Sequence, residues 1–433
     1  MRNSPFWWIL IGFMILLDLY VFQAVKVLTQ AAGSKTKLAI HVSYWAISAL
    51  AITILVILPY LHFAQQHRVF RNTFFAIIVG LFFSKIIASI FFLVDDLRRG
   101  IQWVVGKVFF SGTEGETMEQ GVKISRSIFL SWAGMLAGGG LFTSLIYGFG
   151  NKYRYRIHRL QMAFDNLPPE FKGLKIIQIS DIHSGSFTDK HAVMRGVDMV
   201  LKENADLILF TGDLVNNLAD EMTDYMDVFK QLKAPMGVYS ILGNHDYGDY
   251  VAWADRNEEH RKKEQEAGKH LLTPLQQANL DKLKIVEAEL GWKLLLDEHI
   301  VLEKGNDKIA LIGVQNWSSK ARFPKYGDLK KAYTGSEGYP FKILMSHDPS
   351  HWDAQVRTIY NDIDLMLAGH THGMQFGVEI PGFKWSPVQY VYKEWAGLYE
   401  EGKQKLYVNR GYGFIGYPGR VGILPEITVI ELV

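Results

Sequence analysis

Lys175-Ile176-Ile177-Gln178-Ile179-Ser180-Asp181-Ile182-His183 is a β-branched run that ends in a carboxylate and an imidazole two residues apart. The same construction recurs down the chain. Leu207-Ile208-Leu209-Phe210 leads into Thr211-Gly212-Asp213, and Val238-Tyr239-Ser240-Ile241-Leu242 into Gly243-Asn244-His245-Asp246. Phe341–Met345 leads into Ser346-His347-Asp348, and Ile363–Ala368 into Gly369-His370-Thr371-His372-Gly373. A sixth run, Lys308–Gly313, has no such ending. Short apolar strands alternating with amphipathic stretches predict a layered α/β architecture. Polar clusters at the C-terminal ends of strands are where open α/β sheets place their ligands.

Two aspartates (Asp181, Asp213), one amide (Asn244) and four imidazoles (His183, His347, His370, His372) form a mixed oxygen and nitrogen donor set. Such a set suits Mn, Fe, Co or Zn and is too rich in nitrogen for calcium. Seven donors are too many for one ion and enough for two if one carboxylate bridges. Gly212 would let the backbone bring Asp213 in closely. Asp-x-His and His-x-His spacings turn alternate side chains to one side of an extended segment. The chain contains no cysteine, so thiolate zinc sites, iron–sulfur clusters, disulfides and a cysteine nucleophile are all excluded.

In order and in type, these five blocks resemble those of the calcineurin-like metallophosphoesterases. The resemblance covers about residues 170–433, and apolar spans ahead of it are a feature of the membrane-anchored YkuE/YaeI-type members. It implies a two-layered β-sandwich flanked by helices, with two divalent metal ions (Mn, Fe, Zn or Co) on the loops. Asp181, His183 and His372 would hold one metal, Asn244, His347 and His370 the other, and Asp213 both. His245 would contact the phosphate oxygens, with Asp246 orienting it. Two such metals activate a bridging water for in-line attack and clamp the phosphoryl oxygens. A protonated His245 could serve the leaving oxygen as general acid.

Other residues are read more plainly. Arg410 could reach a substrate phosphate with its planar fork or could form a structural salt bridge. The stretch from Gly411 to Gly419 could edge the site but lacks the lysine of a P-loop. Asp348, before Pro349, is read as a turn former. His191, His260, His270, His299 and His351 are read as ordinary core or surface residues. Residues 247–292 are helical in pattern and highly charged between Asp255 and Glu266. A solvated helix face is the default there, with a substrate-covering helical cap as the alternative.

Upstream the composition changes. Of residues 1–150, 12% carry a formal charge, against 25% of residues 151–433. The 30 residues between Lys37 and Arg68 carry none, nor do the 25 between Arg126 and Lys152. Pro5–Val25 contains only Asp18 and Asn72–Val94 only Lys85. Four transmembrane spans are expected, at about 5–25, 38–63, 72–94 and 127–149. A juxtamembrane linker would occupy 151–169 and the catalytic domain 170–433. A cleavable signal sequence is the weaker reading of the first span, because its apolar part is long. Asp18 and Lys85 could pair across the first and third spans, or each could face a water-filled cleft. The segment from Ile101 to Phe110 could lie along the membrane interface.

Four spans put the N-terminus and the catalytic domain on one side. Basic residues near the spans balance, but the Lys152–Arg159 run tilts the reading towards a cytoplasmic catalytic domain. A net charge of +2 gives no support to nucleic-acid binding. The expected function is that of a membrane-anchored dimetal phosphohydrolase acting on a phosphoester or pyrophosphate. Its substrate would be lipid-linked, such as the UDP-diacylglucosamine-type precursor that some relatives hydrolyse. The rival reading, a membrane sensor with a repurposed phosphoesterase domain, would have lost metal ligands, and all seven are present.

Overall fold

The computed structural model describes residues 5–60, 68–109, 126–267 and 270–433. It divides into two units, Met1–Tyr147 and Gly148–Val433. In the first, four helices are long and apolar enough to cross a membrane: α1 (Pro5–Leu28), α2 (Ser34–Ile57), α3 (Arg68–Phe109) and α4 (Arg126–Gly148). Residues 61–63, expected in the second span, lie outside the described residues, as do residues 110–125. Residues 101–109 of the segment read as a possible interfacial element continue α3, and its last residue, 110, lies outside the described residues.

Met14, Leu17 and Val21 of α1 pack against Leu55 of α2 and Ile78 and Phe82 of α3. Within this apolar interior Lys85 Nζ meets Asp18 Oδ1 at 2.5 Å, and Ser48 and Tyr44 donate to the same carboxylate at 2.9 and 3.1 Å. Charges at this depth cost several kcal/mol unless they are paired, which is why they seek each other. Gly134 and Gly138, one turn apart on α4, let that helix approach α3. A Cβ at Gly138 would sit 2.5 Å from the Ser84 carbonyl, and one at Gly134 would sit 2.8 Å from that of Ala88.

The second unit is a two-layered β-sandwich. One sheet has the order β1-β14-β2-β3-β4-β5, with β1 at Arg156–Met162, β2 at Lys175–Ile179, β3 at Leu207–Phe210, β4 at Val238–Ser240, β5 at Lys293–Leu294 and β14 at Glu426–Leu432. The other has the order β12-β13-β9-β8-β7-β6, with β6 at Glu298–Lys304, β7 at Asp307–Gly313, β8 at Lys342–Met345, β9 at Leu365–Ala368, β12 at Gly397–Glu401 and β13 at Gln404–Val408. A separate hairpin pairs β10 (Val378–Ile380) with β11 (Phe383–Trp385). Ile176, Leu207 and Leu209 from one sheet meet Leu311, Ile343 and Leu365 from the other in a dry layer between them. Both faces of the central strands are buried, so they read as unbroken apolar runs rather than as alternation.

Two boundaries differ from expectation. Residues 156–162, expected in a linker, form β1, an edge strand paired in parallel with β14. Its Arg156 and Arg159 stay exposed, as an edge strand allows, and imitate a juxtamembrane basic run. Helix α5 (Lys190–Lys202) precedes the expected cap, of which α6 (Glu258–Ala267) is solvated and buries no residue. α7 (Pro274–Leu290) packs Leu280, Leu283 and Leu290 into the core flanking the first sheet and is not a cap. Thr273 starts α7 with a capping box, and Gly291 ends it in the left-handed region.

Candidate metal centre

Five strand ends deliver the donors to one place. Asp181 and His183 follow β2, Asp213 follows β3 and Asn244 follows β4. His347 follows β8, and His370 and His372 follow β9. The first sheet thus supplies four of the seven donors and the second three. Asp181, His183, Asp213, His370 and His372 all have φ between 49° and 71°. Left-handed backbone at a side-chain-bearing residue is costly, and it concentrates at functional sites. Glycines make the room: a Cβ at Gly243 would lie 2.2 Å from an Asp213 oxygen, and one at Gly369 would lie 2.3 Å from Asp181.

The side chains form two groups. Asp181, His183 and His372 bring one ligand atom each within 4.8 Å of the others, and so do Asp213, His347 and His370. His183 Nε2 lies 3.0 Å from His372 Nε2 and 3.5 Å from Asp213 Oδ2, while His347 Nε2 lies 3.2 Å from the same Asp213 oxygen. Asp213 therefore stands between the groups. Asn244 joins the second through Oδ1, 2.7 Å from His370 Nδ1.

The surroundings aim ring nitrogens inward. His347 Nδ1 donates to the Thr211 carbonyl at 2.7 Å, and its buried Nε2 has no hydrogen-bond partner. His370 Nε2 donates to the Tyr392 hydroxyl at 2.9 Å, which donates in turn to Asp348 Oδ2 at 3.0 Å. That leaves His370 Nδ1 and Asn244 Oδ1 as two lone-pair bearers face to face, an arrangement a cation resolves. Hydrogen bonds to the far ring nitrogen are the usual means of aiming a metal-binding histidine. The donor set therefore fits divalent metal. Asp348 does form the expected turn, accepting from Ser350 N, but it also fixes Tyr392 and through it His370.

The local field agrees. Burial would raise Asp181 and Asp213, yet neighbouring histidines hold both below the usual carboxylate range. Burial would lower His347, but the Asp213 carboxylate beside it lifts it to about 10. Burial dominates at His370 and takes it down to about 4.

Two expected roles are corrected. Arg410 is buried, with Nη1 on Glu426 and Nε and Nη2 on Glu379, so its guanidinium is committed to carboxylates and does not reach the cleft. Asp246 does not touch the His245 ring. It accepts the backbone N–H groups of Asp213, Leu214, Val215 and Gly243 and so clamps the two loops together. His245 is oriented instead by the Asn216 carbonyl, 2.8 Å from Nδ1. His351 is buried against Trp317 and bonded to Ser346, as a core residue should be.

His183, Asp213, Asn244, His245, His370 and His372 line an open cleft of about 410 Å³ together with Tyr250, Arg322, Phe323 and Ile415. Ile415 belongs to the glycine-rich stretch expected to edge the site. Tyr250, whose hydroxyl accepts from Asn244 at 2.8 Å, comes from the start of the expected cap. Arg322 and Phe323 come from an irregular loop, where no spacing rule marks them.

A family model described as "Calcineurin-like phosphoesterase" matches residues 174–374, and one described as "Probable Calcineurin-like phosphoesterase, transmembrane domain" matches residues 1–151. The chain is 28% identical to a Danio rerio "Transmembrane protein with metallophosphoesterase domain", over 66% of this chain and 60% of the relative. It is 29% identical to the metallophosphoesterase YkuE of Bacillus subtilis (strain 168), over 72% of this chain and 98% of the relative. It is 27% identical to "Phosphodiesterase YaeI" of Escherichia coli (strain K12), over 64% of this chain and 87% of the relative. The match thus spans less than two thirds of the zebrafish protein and nearly all of YkuE.

Proposed function

This chain belongs to the calcineurin-like phosphoesterases, and we propose that it is a membrane-anchored, metal-dependent phosphohydrolase acting on a phosphodiester or pyrophosphate of a lipid-linked substrate. The observation that carries the reading is the pair of three-residue groups meeting at Asp213, with the buried His347 Nε2 left without a hydrogen bond. Asp181, His183 and His372 would hold one divalent cation, Asn244, His347 and His370 the second, and Asp213 both. Bound cations would supply Lewis acidity to phosphoryl oxygens and lower the pKa of water towards neutrality.

The chain's own groups do the rest. His245, its Nδ1 proton given to Asn216, keeps Nε2 for the leaving oxygen. Asp246 holds the loops that carry Asp213 and Asn244 in register. Arg322 takes the substrate-phosphate role expected of Arg410, because it is the arginine lining the cleft. Tyr250 and Phe323 offer aromatic faces beside it, which suits a nucleotide-linked lipid such as a UDP-diacylglucosamine-type precursor. The four apolar helices support a substrate that stays in the bilayer. We place the catalytic unit on the cytoplasmic side, from Lys152 and Arg154, which stand between the last apolar helix and β1; impermeant labelling of a cysteine introduced at Lys304, in spheroplasts against inverted vesicles, tests the side.

Hydrolysis of a chromogenic phosphodiester by the purified full chain with Mn²⁺ tests the activity. Turnover is expected in the wild type and in the exposed-histidine control His191→Ala, and is expected to vanish in Asn244→Ala. Folded wild-type protein inert with Mn²⁺, Zn²⁺, Fe²⁺ and Co²⁺ would refute the reading.

A further inference from the structure

The β10–β11 hairpin turns an apolar face outward. Its pairs are Val378 with Trp385, Glu379 with Lys384 and Ile380 with Phe383. Paired residues share a face and successive residues alternate, so Val378, Ile380, Phe383 and Trp385 form one face and Glu379 and Lys384 the other. On the charged face the half-buried Glu379 is held by the buried Arg410, with Nε donating at 3.0 Å, and the exposed Lys384 donates through Nζ to the Ala396 carbonyl at 2.5 Å. The apolar face is left outward, with Val378 43%, Ile380 58% and Phe383 54% exposed.

The root of this hairpin is tied to the place where the last apolar helix ends. The carbonyl of Gly148, the final residue of α4, accepts from Arg420 N at 2.9 Å. The next residue, Val421, accepts from Gly377 N at 2.8 Å and donates to Gln375 O at 2.8 Å, immediately before β10. One short loop therefore holds both the chain's exit from α4 and the start of the hairpin. Gly373–Gly377 in turn connects the hairpin to His372 of the metal centre.

We propose that Val378–Trp385 docks in the interfacial layer of the bilayer and fixes the height of the catalytic cleft over the lipid headgroups. The proposal rests on α1–α4 crossing a membrane, but not on the identity of the substrate or on hydrolysis. Outward apolar residues with a tryptophan at their margin and a backbone closed in a tight hairpin are what an interfacial element requires. Arg410 thereby acquires a function as the anchor of the charged face.

The absence of cysteine allows a direct test. A nitroxide label on Ile380→Cys, or on Phe383→Cys, is placed in the full chain and reconstituted into vesicles of phosphatidylcholine and phosphatidylglycerol. Collision with oxygen against a water-soluble nickel chelate then reports depth. Both labels should lie about 5–10 Å into the interface, while a label on Glu259→Cys in α6 stays aqueous. Variants count only if their thermal unfolding midpoint matches the unlabelled chain. Nickel accessibility at 380 and 383 equal to that at 259 would overturn the proposal. So would protection that appears only at high protein-to-lipid ratio, which would make the face a contact between copies. Because depth is read without turnover, a failed activity assay leaves this result standing.

Discussion

The helical unit and the sandwich each bury charge, and they complete it differently. In the helices, Asp18 Oδ1 finds Lys85, Ser48 and Tyr44 within 3.1 Å, so the charge is paired from the unit's own residues although Oδ2 makes no hydrogen bond. In the sandwich, Asp181 and Asp213 are packed among histidines, and the buried His347 Nε2, 3.2 Å from an Asp213 oxygen, makes no hydrogen bond. A closed cluster locks helices together, whereas an open one is built to receive something. Another buried acid shows a different outcome: Glu287, bonded to the Ser240 hydroxyl, is pushed up to about 8 by burial and stays protonated at neutral pH.

The largest effect should come from breaking the open cluster at its centre. Asp213→Asn keeps the shape and removes the shared charge, and kcat/KM should fall by a factor on the order of 10³. Steady-state hydrolysis with saturating Mn²⁺ checks this, and a fall below tenfold would remove Asp213 from the centre. Next comes the closed cluster. Asp18→Asn or Lys85→Met leaves one charge buried alone and should cost about 3–5 kcal/mol. Thermal unfolding in detergent measures it, and the reversed pair Asp18→Lys with Lys85→Asp should recover much of the loss. A double reversal as unstable as the singles would mean that the two charges do not act as a pair.

Glu287 sharpens the contrast through pH. Its folded pKa lies above the ordinary carboxylate value, so its contribution to stability is intact below about pH 4.5 and is lost as pH rises towards 8. Glu287→Gln should therefore melt like the wild type at pH 5 and above it at pH 8.5, by an amount on the order of a few kcal/mol. Equal melting at both pH values would count against a protonated Glu287. The smallest effect belongs to the rim: Arg322→Ala should raise KM about three- to tenfold with kcat little changed. An unchanged KM would return the phosphate contact to the cations alone.

How far the chain could be read follows from which contacts are local. The donors were legible because each sits directly after a strand whose apolar run is uninterrupted, so position along the chain and position in the site coincide. The Asp18–Lys85 encounter was legible as a possibility, since two lone charges in apolar spans have few other places to go. β1 was not, because its partner β14 lies at the other end of the chain and its basic residues imitate a membrane-flanking run. Arg410 was misplaced for a similar reason. Glu379 and Glu426, which occupy it, lie in separate strands, while its proximity to Gly411 suggested an exposed loop. Arg322 and Phe323 come from a loop without periodicity, where only folding brings the rim together.

The central claim is that the seven donors are an incomplete cluster designed around two cations. Metal content of the purified full chain, measured by inductively coupled plasma mass spectrometry after equilibration with Mn²⁺ and removal of loosely held ions, tests it most directly. The account predicts two divalent ions per chain in the wild type and a loss of metal in Asp213→Asn. A folded wild-type chain that retains no more metal than Asp213→Asn would contradict it.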